Sequence, residues 1–130
     1  MRQETRDTKQ GTRGYGYRNL IVWQKADELA FRVYLVTKNF PKSETFTLVP
    51  QIRRAVISVP ANIVEGYARS SKKEKRQFYS IARGSLTEVE YYLDFSLRLE
   101  YLSEKEHSEL TSLRDEVGRL LSGLINSTKV

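Results

Sequence analysis

Apolar residues recur every three or four positions from Leu20 onward, and this spacing constrains the fold more than any other feature of the chain. It is the spacing of an amphipathic helix, which turns one apolar stripe toward a core. Proline, which interrupts helices, occurs only at Pro41, Pro50 and Pro60. No stretch has the alternation of apolar and polar residues that is typical of a half-buried strand. The sequence therefore predicts an all-α fold.

Proline and capping signals divide this region into four predicted helices, which cover about residues 20–39, 47–66, 71–101 and 103 onward. Pro41 stops the first helix, and Pro60 is expected to kink the second. Two Ser-x-x-Glu capping boxes, Ser71–Glu74 and Ser103–Glu106, start the third and fourth helices. Short connections between amphipathic helices predict an antiparallel up-down-up-down four-helix bundle over residues 20–130.

One apolar row on each helix is expected to face the core. In the first two helices these rows are Val22, Ala26, Leu29, Val33, Val36, Phe40 and Leu48, Ile52, Ala55, Val59, Ile63. In the last two they are Phe78, Ala82, Ser85, Val89, Tyr92, Ser96, Leu99 and Leu110, Leu113, Val117, Leu120, Leu124. The pair Gly84–Ser85 is expected to let a neighbouring backbone come close to the third helix.

The first and third helices carry more apolar side chains than one inward face can use. The additional residues are Ile21, Phe31 and Leu35 in the first helix and Tyr79, Leu86, Tyr91, Leu93 and Phe95 in the third. Self-association would bury such residues, although scattered apolar side chains are also normal on the surface of a monomer. The pattern favours an oligomer over a monomer.

Residues 1–19 differ from the rest of the chain because they hold three glycines, five basic residues and no aliphatic residue beyond Met1. Such a segment buries too little apolar surface to offset its ordering entropy, so a flexible N-terminal arm is predicted. Tyr15 and Tyr17 alternate with Gly and Arg, as in nucleic-acid-binding tails in which aromatic rings stack on bases. In so short a segment, an arm without a binding role is the favoured interpretation.

Several classes of function are excluded or disfavoured by composition. The chain has no cysteine, which removes disulfides, thiolate zinc sites and thiol nucleophiles. His107 is its only histidine, so no mechanism can use two imidazoles of one chain. No apolar stretch approaches the roughly 18 residues of a membrane helix, and no signal peptide opens the chain. We expect a cytoplasmic protein with no membrane partner.

Catalytic and metal-binding motifs are weak. Glu104 and His107 have the Glu-x-x-His spacing of carboxylate-bridged metal sites in some four-helix bundles. Such a site needs a second copy of the motif and two more glutamates, so neither a metal nor another cofactor is expected. No nucleophile elbow, oxyanion loop or glycine-rich phosphate loop is present. The sequence predicts no enzymatic activity, and a metal-dependent bundle enzyme remains the least favoured hypothesis.

The charge of +6 is concentrated in the middle of the chain, where residues 51–83 hold eight basic and two acidic side chains. Residues 84–130 hold five basic and nine acidic side chains. The candidate nucleic-acid-binding residues are Arg53, Arg54, Arg69, Lys72, Lys73, Lys75, Arg76 and Arg83. Cations that neutralise phosphates release counterions and thereby favour binding. The alternative is a solvated face that only maintains solubility.

Two of these interpretations depend on local position. Lys72, Lys73 and Lys75 fall in the first turn of the third helix, where cations oppose the helix dipole, which favours a functional use. One of the adjacent arginines Arg53 and Arg54 must face a neighbouring helix and is expected to have a structural role.

A polar group is predicted on the buried side of the second helix. Asn62 lies on or beside its apolar row, and Glu65 follows one turn later. Buried amides require hydrogen-bond partners. We expect Asn62, Glu65 and Ser85 to form a structural network that holds the kinked second helix against the third. A ligand site at the kink is the alternative.

The motifs Leu48-x-x-Gln51-x-Arg53-Arg54-Ala55, Ser58-x-x-x-Asn62-Ile63-x-Glu65-Gly66, Arg69-x-Ser71 and Ile81-Ala82-Arg83-Gly84-Ser85-Leu86-x-Glu88 occur in this order. With Val22–Ala26 and Phe40-Pro41, they resemble the bacterial four helix bundle protein family, also called the ribosomal-RNA intervening-sequence protein family. The resemblance covers about residues 19–126. It implies a left-handed bundle that assembles as a homopentamer with a basic surface, and it implies no catalytic residues.

The family resemblance also bears on partners. Founding members are encoded within large-subunit ribosomal RNA genes, which led to the proposal that they bind RNA, and a related group assists reverse transcriptases. The favoured hypothesis is a non-catalytic, oligomeric protein that binds RNA or another nucleic acid through its basic patch. The alternative is a protein-interaction scaffold or an accessory factor, for example to a reverse transcriptase, without direct nucleic-acid recognition.

Overall fold

The computed structural model describes residues 16–129, which contain four helices and no strand. The helices are α1 (Ile21–Thr37), α2 (Leu48–Tyr67), α3 (Lys72–Arg98) and α4 (Glu104–Asn126). Short 3-10 turns at Tyr17–Asn19 and Lys42–Glu44 precede α1 and α2. The prediction of an all-α fold with four helices is confirmed. None of these helices combines the length and the apolar composition that a membrane crossing requires.

Contacts between α3 and α4 join late residues of one helix to early residues of the other. Near the end of α3, Asp94 Oδ1 lies 2.8 Å from His107 Nε2 at the start of α4. Near the start of α3, Arg76 Nη1 donates a hydrogen bond of 3.4 Å to Thr128 O, just beyond α4. Neighbouring helices that run in opposite directions give this pattern. The end of α4 therefore lies beside the start of α3.

The core contains the rows expected in α1 and α2, except that Val36 is only partly buried. In α3 the prediction is partly wrong. Phe78 and Tyr92 are half-buried and Leu99 is exposed. The buried residues of α3 are Tyr79, Ala82, Ser85, Leu86, Val89, Leu93 and Ser96. Two adjacent rows of α3 are apolar, and the packing of α3 against both α2 and α4 determines which one is buried.

Toward the end of α4, the buried row again differs from the predicted one by one residue. Leu121 and Ile125 are buried, whereas Leu120 and Leu124, which were expected in the core, are half-buried. Adjacent apolar side chains again present two rows of equal hydropathy, so periodicity could not distinguish them.

Some of the apolar residues that were expected to be in excess are buried inside this chain. Tyr79, Leu86 and Leu93 belong to the core of this chain and are not in excess. The residues that remain exposed among those expected in excess are Ile21, Phe31, Leu35 and Tyr91. Apolar side chains that were not expected in excess are also exposed, namely Phe46, Ile57, Tyr67, Ile81 and Leu99, so the apolar surface available to a partner is spread over several elements.

The helix boundaries follow from local chemistry. At the start of α4, Ser103 Oγ accepts from Glu106 N and Glu106 Oε1 accepts from Ser103 N, so the predicted capping box is complete. At the start of α3, Ser71 Oγ accepts from the backbone N–H of Glu74. That helix ends at Arg98, before the predicted Tyr101, and Glu100 then adopts a positive φ of 63°.

The last residues of the predicted arm are folded against α1. Tyr17–Asn19 form a 3-10 turn, in which the Tyr17 ring packs 4.9 Å from the Trp23 ring, centroid to centroid. Gln24 Nε2 donates to Arg18 O over 2.8 Å, which further attaches the turn to α1. Residues 1–15, which include the rest of the predicted arm, lie outside the described residues.

The close approach of α2 and α3 occurs at Gly66, not at the predicted Gly84. A Cβ atom at Gly66 would lie 2.5 Å from Tyr79 Cε1 and 3.2 Å from Lys75 O. At Gly84, a Cβ atom would have no neighbour within 4 Å. Glycine at position 66 is therefore required for the buried Tyr79 ring to pack against α2.

Candidate nucleic-acid interface

Five of the eight predicted cations lie around the turn that joins α2 to α3. They are Arg69, Lys72, Lys73, Lys75 and Arg76, and we call this region the α2–α3 end. From residue 65 to residue 76 the chain has these five cations and only two carboxylates, Glu65 and Glu74. The turn thus carries the densest positive charge of the described residues.

Lys75 and Arg76 are engaged by the bundle itself. Lys75 Nζ donates to Tyr67 O over 2.9 Å and lies 3.5 Å from Gly66 O, at the end of α2. Arg76 Nη1 donates to Thr128 O beyond the end of α4. Carbonyl groups at helix ends lack intrahelical partners, and these cations satisfy some of them. Both residues therefore support the fold, and their contact with phosphates stays a prediction.

Lys72 and Lys73 are exposed, and neither forms an ion pair with another of the described residues. Arg69 Nη2 lies 3.1 Å from Glu65 Oε1, and the guanidinium lies 4.7 Å from the centroid of the Phe78 ring. An exposed pair of this kind contributes little stability and exchanges readily with solvent. These three cations are the exposed ones at the α2–α3 end, whereas Lys75 and Arg76 are half-buried.

The remaining predicted cations lie elsewhere, so the eight do not form one patch. Arg53 and Arg54 are in the first two turns of α2, about 20 Å along the helix from its end. Arg83 lies on α3 beside a shallow cavity of about 440 Å³ that Arg114 and Arg119 also line. Arg119 was not predicted, because its place beside Arg83 depends on the register of α4 against α3, which the sequence does not show.

The predicted polar network exists in a different form. Asn62 Nδ2 donates to Ser58 O over 2.8 Å and lies 2.9 Å from Ser58 Oγ. Ser58 Oγ lies 2.8 Å from Ser85 Oγ, which joins α2 to α3. Glu65 is not part of this network, because it is exposed and pairs with Arg69. Ser58, one turn before Asn62, was not among the predicted members and links the other two.

His107, the residue of the weak metal motif, has partners within the protein. Its Nε2 lies 2.8 Å from Asp94 Oδ1 and 3.5 Å from Thr111 Oγ1. Across residues 16–129, the structure contains no group of three or more His, Cys, Asp or Glu side chains that could hold a metal ion.

Comparison with known proteins agrees with this architecture. Residues 18–123 match the family model described as "23S rRNA-intervening sequence protein". The chain belongs to this family. The match includes α1, α2, α3 and most of α4, and with them all eight predicted cations of this 23S rRNA-intervening sequence protein.

A solved structure supports the fold of this family member. It is the crystal structure of a protein of unknown function from the S23 ribosomal protein family of Bacteroides thetaiotaomicron VPI-5482. The two chains superpose with a TM-score of 0.75 and share 27% sequence identity, over 82% of this chain and 96% of the other. No curated protein matches the chain.

Proposed function

We propose that this family member is a non-catalytic, oligomeric RNA-binding protein of the cytoplasm that contacts phosphates through the α2–α3 end. The observation that carries the proposal is the exposure of Lys72 and Lys73, without carboxylate partners, in the most basic segment of the described chain. Lysines contact phosphates as point charges, and each phosphate neutralised releases counterions.

The position of these lysines at the start of α3 strengthens the proposal. A helix N-terminus carries a partial positive charge, so Lys72 and Lys73 add to an existing attraction for anions. The same dipole makes two cations there mildly unfavourable for the fold. An anionic partner would remove this repulsion, whereas a purely solubilising role gives no reason for placing cations at this end of the helix.

Oligomerisation is supported by exposed apolar side chains between α1 and α2. Phe31, Leu35 and Ile57 are 65%, 44% and 45% exposed and line a groove of about 370 Å³, which we call the α1–α2 groove. A second copy would remove this apolar surface from water. A closed ring would bring several α2–α3 ends together, and the family resemblance implies five copies. Light scattering tests the assembly, and a monomer at micromolar concentration would contradict it.

RNA binding is tested by measuring affinity as a function of salt concentration. Replacing both Lys72 and Lys73 by Glu is expected to reduce the slope of log K against log salt by about 1.4, because each of the two phosphate contacts with single-stranded RNA contributes about 0.7. An unchanged slope in this double variant would show that the α2–α3 end does not contact RNA.

The chain offers a closely matched control for charge reversal. Lys73 and Lys105 are both the second residue of a helix that a serine caps, at the starts of α3 and α4. Lys73→Glu and Lys105→Glu therefore reverse the same charge at the same position of a helix, and they differ in that Lys105 Nζ lies 4.0 Å from Glu109 Oε2. Only Lys73→Glu is expected to weaken RNA binding. Equal effects of the two variants would indicate a response to net charge alone.

A second candidate is a scaffold that binds a protein through α3. The Tyr91 ring is 60% exposed and lies 5.8 Å from Tyr92 and 6.0 Å from Phe95, centroid to centroid, so these rings form an aromatic surface. Aromatic side chains are enriched at the centres of protein interfaces. This candidate predicts weak RNA binding at physiological salt and a protein that co-purifies in a fixed ratio.

A further inference from the structure

The corner where α1 leads into α2 contains a cavity of about 570 Å³, which we call the corner cavity. Four cationic side chains, Lys38, Lys42, Arg53 and Arg54, line it, and no carboxylate is among its lining residues. The cavity lies near the start of α2, whereas the α2–α3 end lies about 20 Å away along that helix. The two regions are therefore separate concentrations of positive charge.

Arg53 is held in a fixed orientation at this cavity. Its Nε donates to Thr37 Oγ1 over 2.9 Å, and its Nη2 donates to Tyr34 O over 3.2 Å. The guanidinium also lies 4.6 Å from the centroid of the Tyr34 ring. Nη1 forms no hydrogen bond with any residue of 16–129. An arginine that is already oriented loses little further entropy when its remaining donors bind an oxyanion.

The acidic residue beside the cavity does not neutralise it. Glu44 lies in the 3-10 turn before α2, and its Oε1 accepts from Thr47 Oγ1 and from Leu48 N. Its other oxygen, Oε2, accepts from the Tyr101 hydroxyl over 2.7 Å. These bonds lower the pKa of Glu44, and all three of its partners lie outside the set of residues that line the cavity. The guanidinium groups remain available to an external anion.

The rest of the cavity wall is apolar and aromatic. Phe40, Pro41, Val49 and Pro50 line it together with the Tyr34 ring. Its volume lies within the range of pockets that bind small organic molecules, and it exceeds what an inorganic anion needs. A ligand that fits both parts of the wall has a phosphate group at one end and a flat or apolar body at the other.

We propose that the corner cavity binds a nucleotide through its phosphate monoester. Arg53 Nη1 and the Arg54 guanidinium donate to the phosphate oxygens, and the sugar or base lies against Pro41 and Pro50. A monoester carries nearly two negative charges near neutral pH, which suits a cavity with four cations. A free nucleotide and the 5′-phosphorylated end of an RNA share this chemistry. The proposal goes beyond the proposed function, which uses internal phosphates at the α2–α3 end.

Calorimetric titration of the full chain at low salt tests the site with three probes: adenosine 5′-monophosphate, inorganic phosphate and adenosine. The monophosphate is expected to bind saturably, once per chain, with a dissociation constant of about 1 mM or below. Inorganic phosphate is expected to bind more weakly, and adenosine to give no measurable heat. Absence of saturable monophosphate binding, or adenosine binding of equal strength, would overturn the proposal.

Arg54→Gln provides the decisive variant, because Arg54 is exposed and bonds only to Gln51 within the described residues. Its loss is expected to weaken monophosphate binding about tenfold, the value of one charge-assisted hydrogen bond. Arg18→Gln makes the same chemical change at an exposed position outside the cavity and is expected to leave binding unchanged. Equal binding by the two variants, with unchanged melting temperatures, would overturn the proposal.

Competition with RNA distinguishes the two sources of the phosphate. Displacement of the monophosphate by a 5′-phosphorylated RNA, but not by its 5′-hydroxyl counterpart, identifies the RNA end as a ligand. Displacement by neither identifies the free nucleotide. Equal displacement by both would contradict a monoester site. The outcome is independent of the Lys72 and Lys73 double variant, so failure of this site and failure of the proposed function can be told apart.

Discussion

Replacing Gly66 by Ala tests how closely α2 and α3 must pack. The added Cβ atom would lie 2.5 Å and 2.8 Å from two carbon atoms of the Tyr79 ring and 3.2 Å from Lys75 O. Carbon atoms in contact are normally about 3.5 to 4.0 Å apart, so the ring or the helix must move by about 1 Å. Tyr79 is only 2% exposed and cannot move into solvent.

Two effects of opposite sign determine how much Gly66→Ala changes the free energy of unfolding. Alanine is favoured over glycine in a helix by up to about 1 kcal/mol, and less near a helix end. Overpacking a buried contact costs about 1 to 3 kcal/mol. Because the neighbours are a buried ring and a backbone carbonyl, we expect the steric cost to exceed the gain. The free energy of unfolding should fall by about 1 to 2 kcal/mol, which lowers the melting temperature by about 4 to 8 °C.

The measurement is thermal unfolding at a fixed protomer concentration, since the stability of an oligomer depends on concentration. Gly84→Ala is the matched control, because a Cβ atom there meets nothing within 4 Å and should stabilise α3 by about 0.5 to 1 kcal/mol. In a Tyr79→Leu background, which removes the ring, the cost of Gly66→Ala should largely disappear. A Gly66→Ala protein as stable as the wild type, or an equal cost in both backgrounds, would refute the steric explanation.

Two further predictions concern pH. Asp27 is exposed but lines the α1–α2 groove, where partial desolvation raises its pKa. Its negative charge therefore destabilises the fold once the pH rises above the carboxyl pKa of the unfolded chain, and Asp27→Asn should raise the melting temperature at neutral pH but not at low pH. Hydrogen bonds from Thr47 and Tyr101 lower the pKa of Glu44. The contribution of this carboxylate to stability is therefore lost as the pH falls through its pKa. Glu44→Gln should lower the melting temperature at neutral pH, and the melting temperature of this variant should fall less on acidification than that of the wild type. If either variant changed the melting temperature by the same amount at every pH, the corresponding prediction would be contradicted.

Much of the fold could be predicted because its determinants are local in the sequence. Serine followed by glutamate three residues later marks the starts of α3 and α4, and Pro41 lies four residues after the end of α1 at Thr37. The core rows of α1 and α2 each have one dominant apolar stripe. In α3 the neighbouring aromatic residues Phe78 and Tyr79 are equally apolar, and only contacts with other helices select between them. Which row is buried is therefore a property of the assembled bundle.

The candidate sites were harder to predict, because a cation has the same appearance in the sequence whether it faces solvent or a carbonyl group. Lys73 and Lys75 are two residues apart, yet Lys73 is exposed and Lys75 donates to the end of α2. Arg53 and Arg54 were correctly expected to differ, since adjacent residues point to different sides of a helix. The partner of Arg53 is an α1 carbonyl and a hydroxyl, not a carboxylate, and charge patterns cannot indicate such partners.

The path of the chain after α4 affects how binding should be measured. Arg76 Nη1 donates to Thr128 O, which holds the residues that follow α4 beside the start of α3. An affinity tag attached after these residues, or attachment to a sensor surface through it, therefore starts close to Lys72 and Lys73. Such a tag would compete with RNA for this surface, so quantitative work calls for tag-free protein free in solution.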